Sequence, residues 1–177
     1  NLTDMGVRGT NLLGQNWNAY RGQGAGGETL DLADLILLIR DSDGIDRIRY
    51  TTSHPRDMGD DVVQAYRDLP TLASHLHLPV QSGSDAVLRR MKRFYTRDHY
   101  LGVVRKLREA RPDLVLTTDV IVGFPGETEE DFDQTMTLLD EADFVGAFSF
   151  AYSPRPGTPS LRLKDAVPEA VAKARLT

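Results

Sequence analysis

HLPVQSGSD (residues 77–85) and DVIVGFPGET (residues 119–128) follow one plan. Each opens on a short apolar run, LPV or VIV, too brief for a helix and suited to a buried strand. Each then passes through a polar, glycine-containing turn into a helix start. In a parallel α/β architecture the carboxyl ends of the strands form the rim where ligands bind, and the first residues able to make directed polar contacts fall at that rim here. The pair therefore predicts a parallel α/β fold with its chemistry at the strand ends.

Working outward, the same alternation recurs. Residues 3–6 read as a helix end and residues 10–13 as a strand stopping at Gly14, Gln15 and Asn16. A polar loop with Gly22, Gly24, Gly26 and Gly27 follows, expected as a mobile lid or insertion before Glu28 opens the next helix. Leu30 to Ile39 has the spacing of a core helix. Residues 45–53 form the next strand, after a Ser42-Asp43-Gly44 turn, and 60–69 a helix stopped by Pro70. Residues 76–80 are a strand, Ser84 caps a helix to Met91, and Thr96 caps another to about Arg111. Residues 114–122 are a strand, Thr128 and Asp131 a capping box for a helix to Ala142, and 144–152 the last strand. Pro154, Pro156 and Pro159 cannot continue a central strand, and residues 165–176 read as a short connector helix.

The chain has 177 residues, one domain by length, with 40% hydrophobic and 27% charged residues. No apolar stretch approaches the roughly 20 residues that cross a bilayer, so no membrane span is expected. A formal net charge of −5 gives no general attraction to DNA or RNA, and any RNA contact must be local. The absence of cysteine excludes disulfides and thiolate-held zinc or iron–sulfur sites within these residues. The first residue is Asn1, with no basic-then-apolar leader, which reads as a chain cut from something longer and of cytoplasmic origin.

Gln81 ends the strand LPV, and its amide, with two donors and an acceptor, suits ribose hydroxyls. Ser82 and Ser84 offer hydroxyls beside it; the alternative is an ordinary capped turn. Arg93 closes the basic stretch of Arg89, Arg90 and Lys92, either a solvated helix face or a fork returning to the rim to clamp a carboxylate. Asp119 lies in an otherwise apolar strand, where a carboxylate is costly without a partner. Gly123, Pro125 and Gly126 allow backbone to approach a flat ligand such as adenine, or make a plain tight turn. Gln15 and Asn16 complete a ring of polar groups at strand ends. Histidines 54, 75, 77 and 99 lack metal-ligand spacing, and GxSxG, GxxxxGK[ST] and GxGxxG motifs are all absent.

Taken in order, LLGQNWNAYRG, RYTTSHPRD, HLPVQSGSDAVLRRMKR, TTDVIVGFPGETEEDF and FSFAYSPRPGTP resemble the radical S-adenosylmethionine methylthiotransferase family, over nearly the whole chain. The GQN-NAYRG and SPRPGTP blocks favour the branch acting on N6-dimethylallyladenosine in tRNA over that acting on threonylcarbamoyladenosine. QSGSD argues against the ribosomal-protein branch. The resemblance implies a partial parallel (β/α)6 barrel, here lacking its first strand, over residues 1–164, with residues 165–177 connecting toward an RNA-binding TRAM domain. It implies S-adenosylmethionine and 4Fe-4S clusters as cofactors, tRNA as substrate and a reductant protein as partner. The cluster ligands, CxxxCxxC on the first strand, are missing, so no catalytic or metal residue is expected in this chain and it should not turn over alone.

Carried over by position, the resemblance places Gln15 and Asn16 at the methionine amino end, Gln81 and Arg93 on ribose and carboxylate, and Asp119, Val122 and Gly123 beside the nucleoside. Ser53 or Thr52 would meet the same rim. Trp17 and Phe94 depart from the family pattern. The rival readings are a non-catalytic nucleoside- or tRNA-binding module and an ordinary parallel α/β enzyme using Asp119 as a base.

Overall fold

The structure, a computed structural model, describes residues 3–14, 16–42, 44–51 and 54–177. It divides into two units, Asn1–Leu78 with Val103–Leu116, and Pro79–Gly102 with Thr117–Thr177.

The first unit begins with β1 (Gly9–Leu12), followed by β2 (Gly22–Gln23) and β3 (Thr29–Leu30), which pair antiparallel. The glycine-rich segment expected as a lid is thus in part a short hairpin, closed by Gly24 N–H to Glu28 O at 2.8 Å. Helix α1 (Leu32–Arg40) starts after Asp31 rather than at Glu28, because Asp31 and Asp34 exchange reciprocal 3.0 Å bonds in a capping box. Strand β4 (Arg47–Tyr50) runs parallel to β1 in the register Gly9–Arg47 through Leu12–Tyr50. It buries Ile48 and Tyr50 and exposes Arg47 and Arg49, which alternate with them. Helix α2 (Asp60–Asp68) follows, then β5 (His75–His77), shorter than the strand expected over residues 76–80.

In the second unit, Ser84 caps α3 (Asp85–Arg90) by accepting from the Ala86 and Val87 amides, as expected. Helix α4 (Arg97–Ala110) opens after Thr96, whose hydroxyl accepts from His99 N–H. Its carboxyl-terminal half belongs to the first unit. There Arg111 donates to the Tyr66, Leu69 and Leu72 carbonyls at 3.3, 3.1 and 2.7 Å, satisfying the end of α2 and its following turn. Strand β6 (Val115–Val122) starts in the first unit, where Val115 N–H donates to Ser74 O before β5.

From Thr117 onward β6 lies in the second unit, parallel to β7 (Gly146–Ala151), with Asp119 opposite Phe148 and Ile121 opposite Phe150. Between them, α5 (Glu129–Ala142) is capped by Thr128 and Asp131, again as the sequence predicts. Helix α6 (Glu169–Leu176) ends the described chain and touches β7. The α/β class with parallel pairing is as expected, with β2 and β3 the antiparallel exception. Strand β7 is exposed along most of its length, Phe148 and Phe150 included, unlike the buried final strand its apolar sequence suggests.

The QSGSD turn is pressed onto α5. A Cβ on Gly83 would collide with the Gln134 carbonyl and the Thr135 backbone, which flexible side chains cannot relieve. Gly83→Ala is therefore expected to cost about 1–3 kcal/mol, seen as a lowered urea midpoint with an unchanged slope. Asp131 supplies a second test. Burial alone raises its carboxyl, but hydrogen bonds from Ser84 and Thr128 outweigh it and hold the group below the ordinary value. A carboxyl depressed in the folded state contributes stability above its unfolded pKa of about 3.9 and loses it as pH falls through the folded value. Urea unfolding across acid pH should show Asp131→Asn with a shallower loss of stability below about pH 4 than the parent chain.

Candidate functional site

The site is built on one parallel bridge. Gln81 N–H donates to Asp119 O at 2.8 Å, and Ile121 N–H donates to Gln81 O at 2.9 Å. This bridge pins the residue after LPV to the middle of β6. It also holds Gln81 at φ 71°, in the left-handed region, with only 8% of its surface exposed. A non-glycine residue there costs roughly 1–2 kcal/mol, and such strain persists only where surrounding bonds fix it. The neighbouring hydroxyls are occupied. Ser82 is hydrogen-bonded to Thr135, Gly83 N–H donates to the same Thr135 oxygen at 2.9 Å, and Ser84 binds Asp131. Both serines therefore hold the turn on α5, the capped-turn alternative of the two readings.

Beyond α3, residues 91–95 return toward Gln81. Lys92 and Phe94 take left-handed φ values of 56° and 57°, and the buried Tyr95 hydroxyl donates to Val80 O at 2.8 Å. Burial pushes the Tyr95 phenol well up, so it remains a donor. The excursion carries Arg93 back beside the strand ends. Among the described residues Arg93 has no ion-pair partner, whereas Arg90 is held by Asp165 at 2.7 Å and by Pro125 O at 3.1 Å. Arg93, like Lys92 on the same cavity, is thus a cation open to an anion.

Gln81, Arg93 and Asp119 line one cavity of about 750 Å³, within the usual range for small-molecule sites. Its apolar wall comes from Ile121, Phe124, Phe150 and Tyr152, and its rim from Ser153, Arg155 and Thr158 of the proline-rich loop. Phe124 and Tyr152 meet edge to face, centroids 5.0 Å apart. Asp119 is half-buried on this face, not enclosed among apolar residues as its sequence neighbours suggest. Thr118, Val120 and Val122 are buried on the opposite face of β6.

Val122 and Gly123 therefore stand one layer behind the wall. The Gly123 amide donates to Glu127 Oε1 at 2.8 Å, and Ile121 and Phe124 take the places beside the ligand space. Phe124 and Tyr152 were missed in the sequence, although each is an aromatic just past an apolar strand. In the first unit, Asn16 Nδ2 donates to Asp57 Oδ2 at 2.8 Å, and Asn16 Oδ1 is buried without a partner among the described residues. The Arg56 side chain, the Asn16 bond and nearby charges hold the Asp57 carboxyl below its ordinary value against its burial. Gln15, Thr52 and Ser53 lie outside the described residues.

The arrangement offers an amide, a carboxylate and an unpaired guanidinium around flat apolar walls. That set can bind a nucleoside with a charged tail; it contains no activated nucleophile. No group of three or more potential metal ligands exists among the described residues. No described helix is long and apolar enough to cross a membrane.

Residues 2–139 match the model of the Radical SAM superfamily. The chain belongs to the radical SAM superfamily. The resemblance drawn from its five sequence blocks and the match agree. Among its relatives, the tRNA-2-methylthio-N(6)-dimethylallyladenosine synthase of Alcanivorax borkumensis is 59% identical over 99% of this chain, and that of Methylococcus capsulatus 57%. The chain spans 39% and 38% of the length of these two proteins. A similar fold occurs in coproporphyrinogen III oxidase (HemN) of Escherichia coli, a radical SAM enzyme, with a TM-score of 0.65 and 22% identity over 82% of this chain and 34% of that one.

The left-handed backbone at Gln81 generates a stability test that needs no ligand. Gln81→Gly, suited to positive φ, should leave the thermal midpoint within the equivalent of about 1 kcal/mol, whereas Gln81→Val, β-branched, should lower it by more.

Proposed function

We propose that this chain is the S-adenosylmethionine-binding part of a tRNA methylthiotransferase acting on C2 of N6-dimethylallyladenosine, the activity its relatives are named for. The observation that carries the reading is the meeting of Gln81, Arg93 and Asp119, far apart in sequence, in one cavity with aromatic walls. In it Gln81 and Asp119 bind the ribose hydroxyls, Arg93 takes the methionine carboxylate as a planar fork, and Ile121 and Phe124 flank the adenine. Val122 and Gly123 support that wall from behind. The buried acceptor Asn16 Oδ1 of the first unit suits an ammonium donor.

S-adenosylmethionine fits the residues present. A 4Fe-4S cluster does not, because the chain contains no cysteine to supply thiolates. We assign the cluster ligands to residues outside this chain and no bond-breaking step to this chain alone. In the full protein the clusters supply the reducing chemistry and the sulfur, and a reductant protein supplies electrons. In this reading residues 1–164 form a partial (β/α)6 barrel lacking its first strand, residues 165–177 lead toward a TRAM domain, and the protein works in the cytoplasm.

Calorimetric titration with S-adenosylmethionine tests the proposal. Binding should weaken at least tenfold in Gln81→Ala and in Arg93→Ala, and anaerobic reconstitution with iron and sulfide should yield no 4Fe-4S absorption from this chain alone. Equal affinity for S-adenosylmethionine in the parent chain and both variants would sink the cofactor assignment. Retained tRNA binding without S-adenosylmethionine binding would favour the non-catalytic module instead.

A further inference from the structure

Residues 165–176 are more than a connector. Arg175 projects from α6 onto the turn that carries Phe124, and its Nη1 donates to Glu127 Oε1 at 2.7 Å. Its Nη2 donates to Glu129 Oε2 at 2.7 Å, and the guanidinium lies over the Phe132 ring, 5.3 Å from the centroid. The side chains of Arg175 and Glu127 are only 7% and 1% exposed. The same Glu127 oxygen accepts from Gly123 N–H at 2.8 Å, and Glu127 N–H donates to Phe124 O at 2.9 Å, so one carboxylate closes the turn on itself. Burial pushes the Glu127 carboxyl up, while the Gly123 amide and Arg175 pull it back toward the charged form.

Two further contacts come from the same tail. Gly123 has φ 72°, and a Cβ there would stand 2.5 Å from the Ala172 Cβ, so α6 packs directly on its backbone. Gly126 N–H donates to Asp165 O at 2.7 Å, and Asp165 holds Arg90, which in turn donates to Pro125 O. Each end of the turn is therefore fixed by the segment that follows the proline-rich loop.

We propose that Arg175, acting through Glu127, is a positioning residue: it holds the 123–127 turn so that Phe124 forms the flat wall against which the nucleoside packs. The proposal rests on the nucleoside reading of the cavity and assigns α6 to the site. Phe124 itself touches α6 through none of these bonds; it is carried by Gly123 before it and the Glu127 bond to its carbonyl. Loss of Arg175 leaves a buried carboxylate without its cation, a cost relieved by protonating Glu127 or by moving it toward water, and either weakens its hold on the Gly123 amide.

The test uses this chain with Arg175→Met, Arg175→Lys, Glu127→Gln and the Glu127→Gln/Arg175→Met double variant. Amide hydrogen exchange is followed at Gly123 and at Leu101 of α4 as a reference, beside calorimetry with S-adenosylmethionine. Arg175→Met is expected to speed Gly123 exchange at least tenfold relative to Leu101 and to weaken binding by a similar factor. Arg175→Lys, which keeps a cation near Glu127, should recover part of both. The double variant should be no worse than the more severe single one, because the pair acts as a unit. Unchanged Gly123 exchange, or unchanged affinity in a folded variant, overturns the proposal; should Arg175→Met fail to fold, Arg175→Lys and Glu127→Gln decide it by the same two readouts. Failure of the parent chain to bind S-adenosylmethionine removes the nucleoside reading, and with it the role of the wall, whereas unchanged exchange at Gly123 removes the clamp alone.

Discussion

The bridge between Gln81 and β6 is the constraint on which the site depends. Its two backbone bonds reach Asp119 and Ile121, the residues either side of Val120 in the strand. Gln81 makes both bonds from a left-handed backbone, and the turn after it drops onto α5 through Thr135 and Asp131. Local strain is thus maintained by hydrogen bonds that are themselves buried, where breaking one leaves an unsatisfied group.

What was legible in the sequence was what short-range chemistry decides. Ser84, Thr96 and Thr128 all cap as their spacing predicts, because donors and acceptors lie within three residues of one another. The start of α1 was misplaced for a related reason. Glu28 follows a glycine run and looks like an opening residue, but the reciprocal Asp31–Asp34 box is the better cap, and the glycines turn a hairpin instead. Gln81, Arg93 and Asp119, singled out through the family resemblance and their position around apolar runs, do line one cavity.

Two features lay beyond the local pattern. Ser82 and Ser84 could meet a ligand or cap the turn, and Thr135 and Asp131, about fifty positions away in sequence, take up their hydroxyls. No local pattern announces such partners. Val122 and Ile121 differ by one position, and in a strand one position is the other face. The sequence reading set Val122 and Gly123 beside the nucleoside, while the pleat brings Ile121 and, beyond the turn, Phe124 to the cavity lining. Burial alternation along β6 decides this parity, and composition does not contain it.

Electrostatics complete the division of labour. A chain of net charge −5 gathers Arg90, Lys92, Arg93 and Arg155 around one cavity. They are not equivalent: Arg90 is committed to Asp165 and the Pro125 carbonyl, while Arg93, like Lys92 and Arg155, is in no ion pair among the described residues. The left-handed turns at Lys92 and Phe94 explain the difference, since they swing Arg93 off the helical face its sequence neighbours share. Phe94 itself is 73% exposed, so it gains no burial for adopting that conformation. Nothing in its packing accounts for the strain, and the backbone there is set by the return of Arg93 and Tyr95 to the LPV strand end, with the side chain at 94 left over. The geometry that returns Arg93 to the cavity is thus imposed on a residue type poorly suited to it, and the path of the loop, not its aromatic, sets the backbone there.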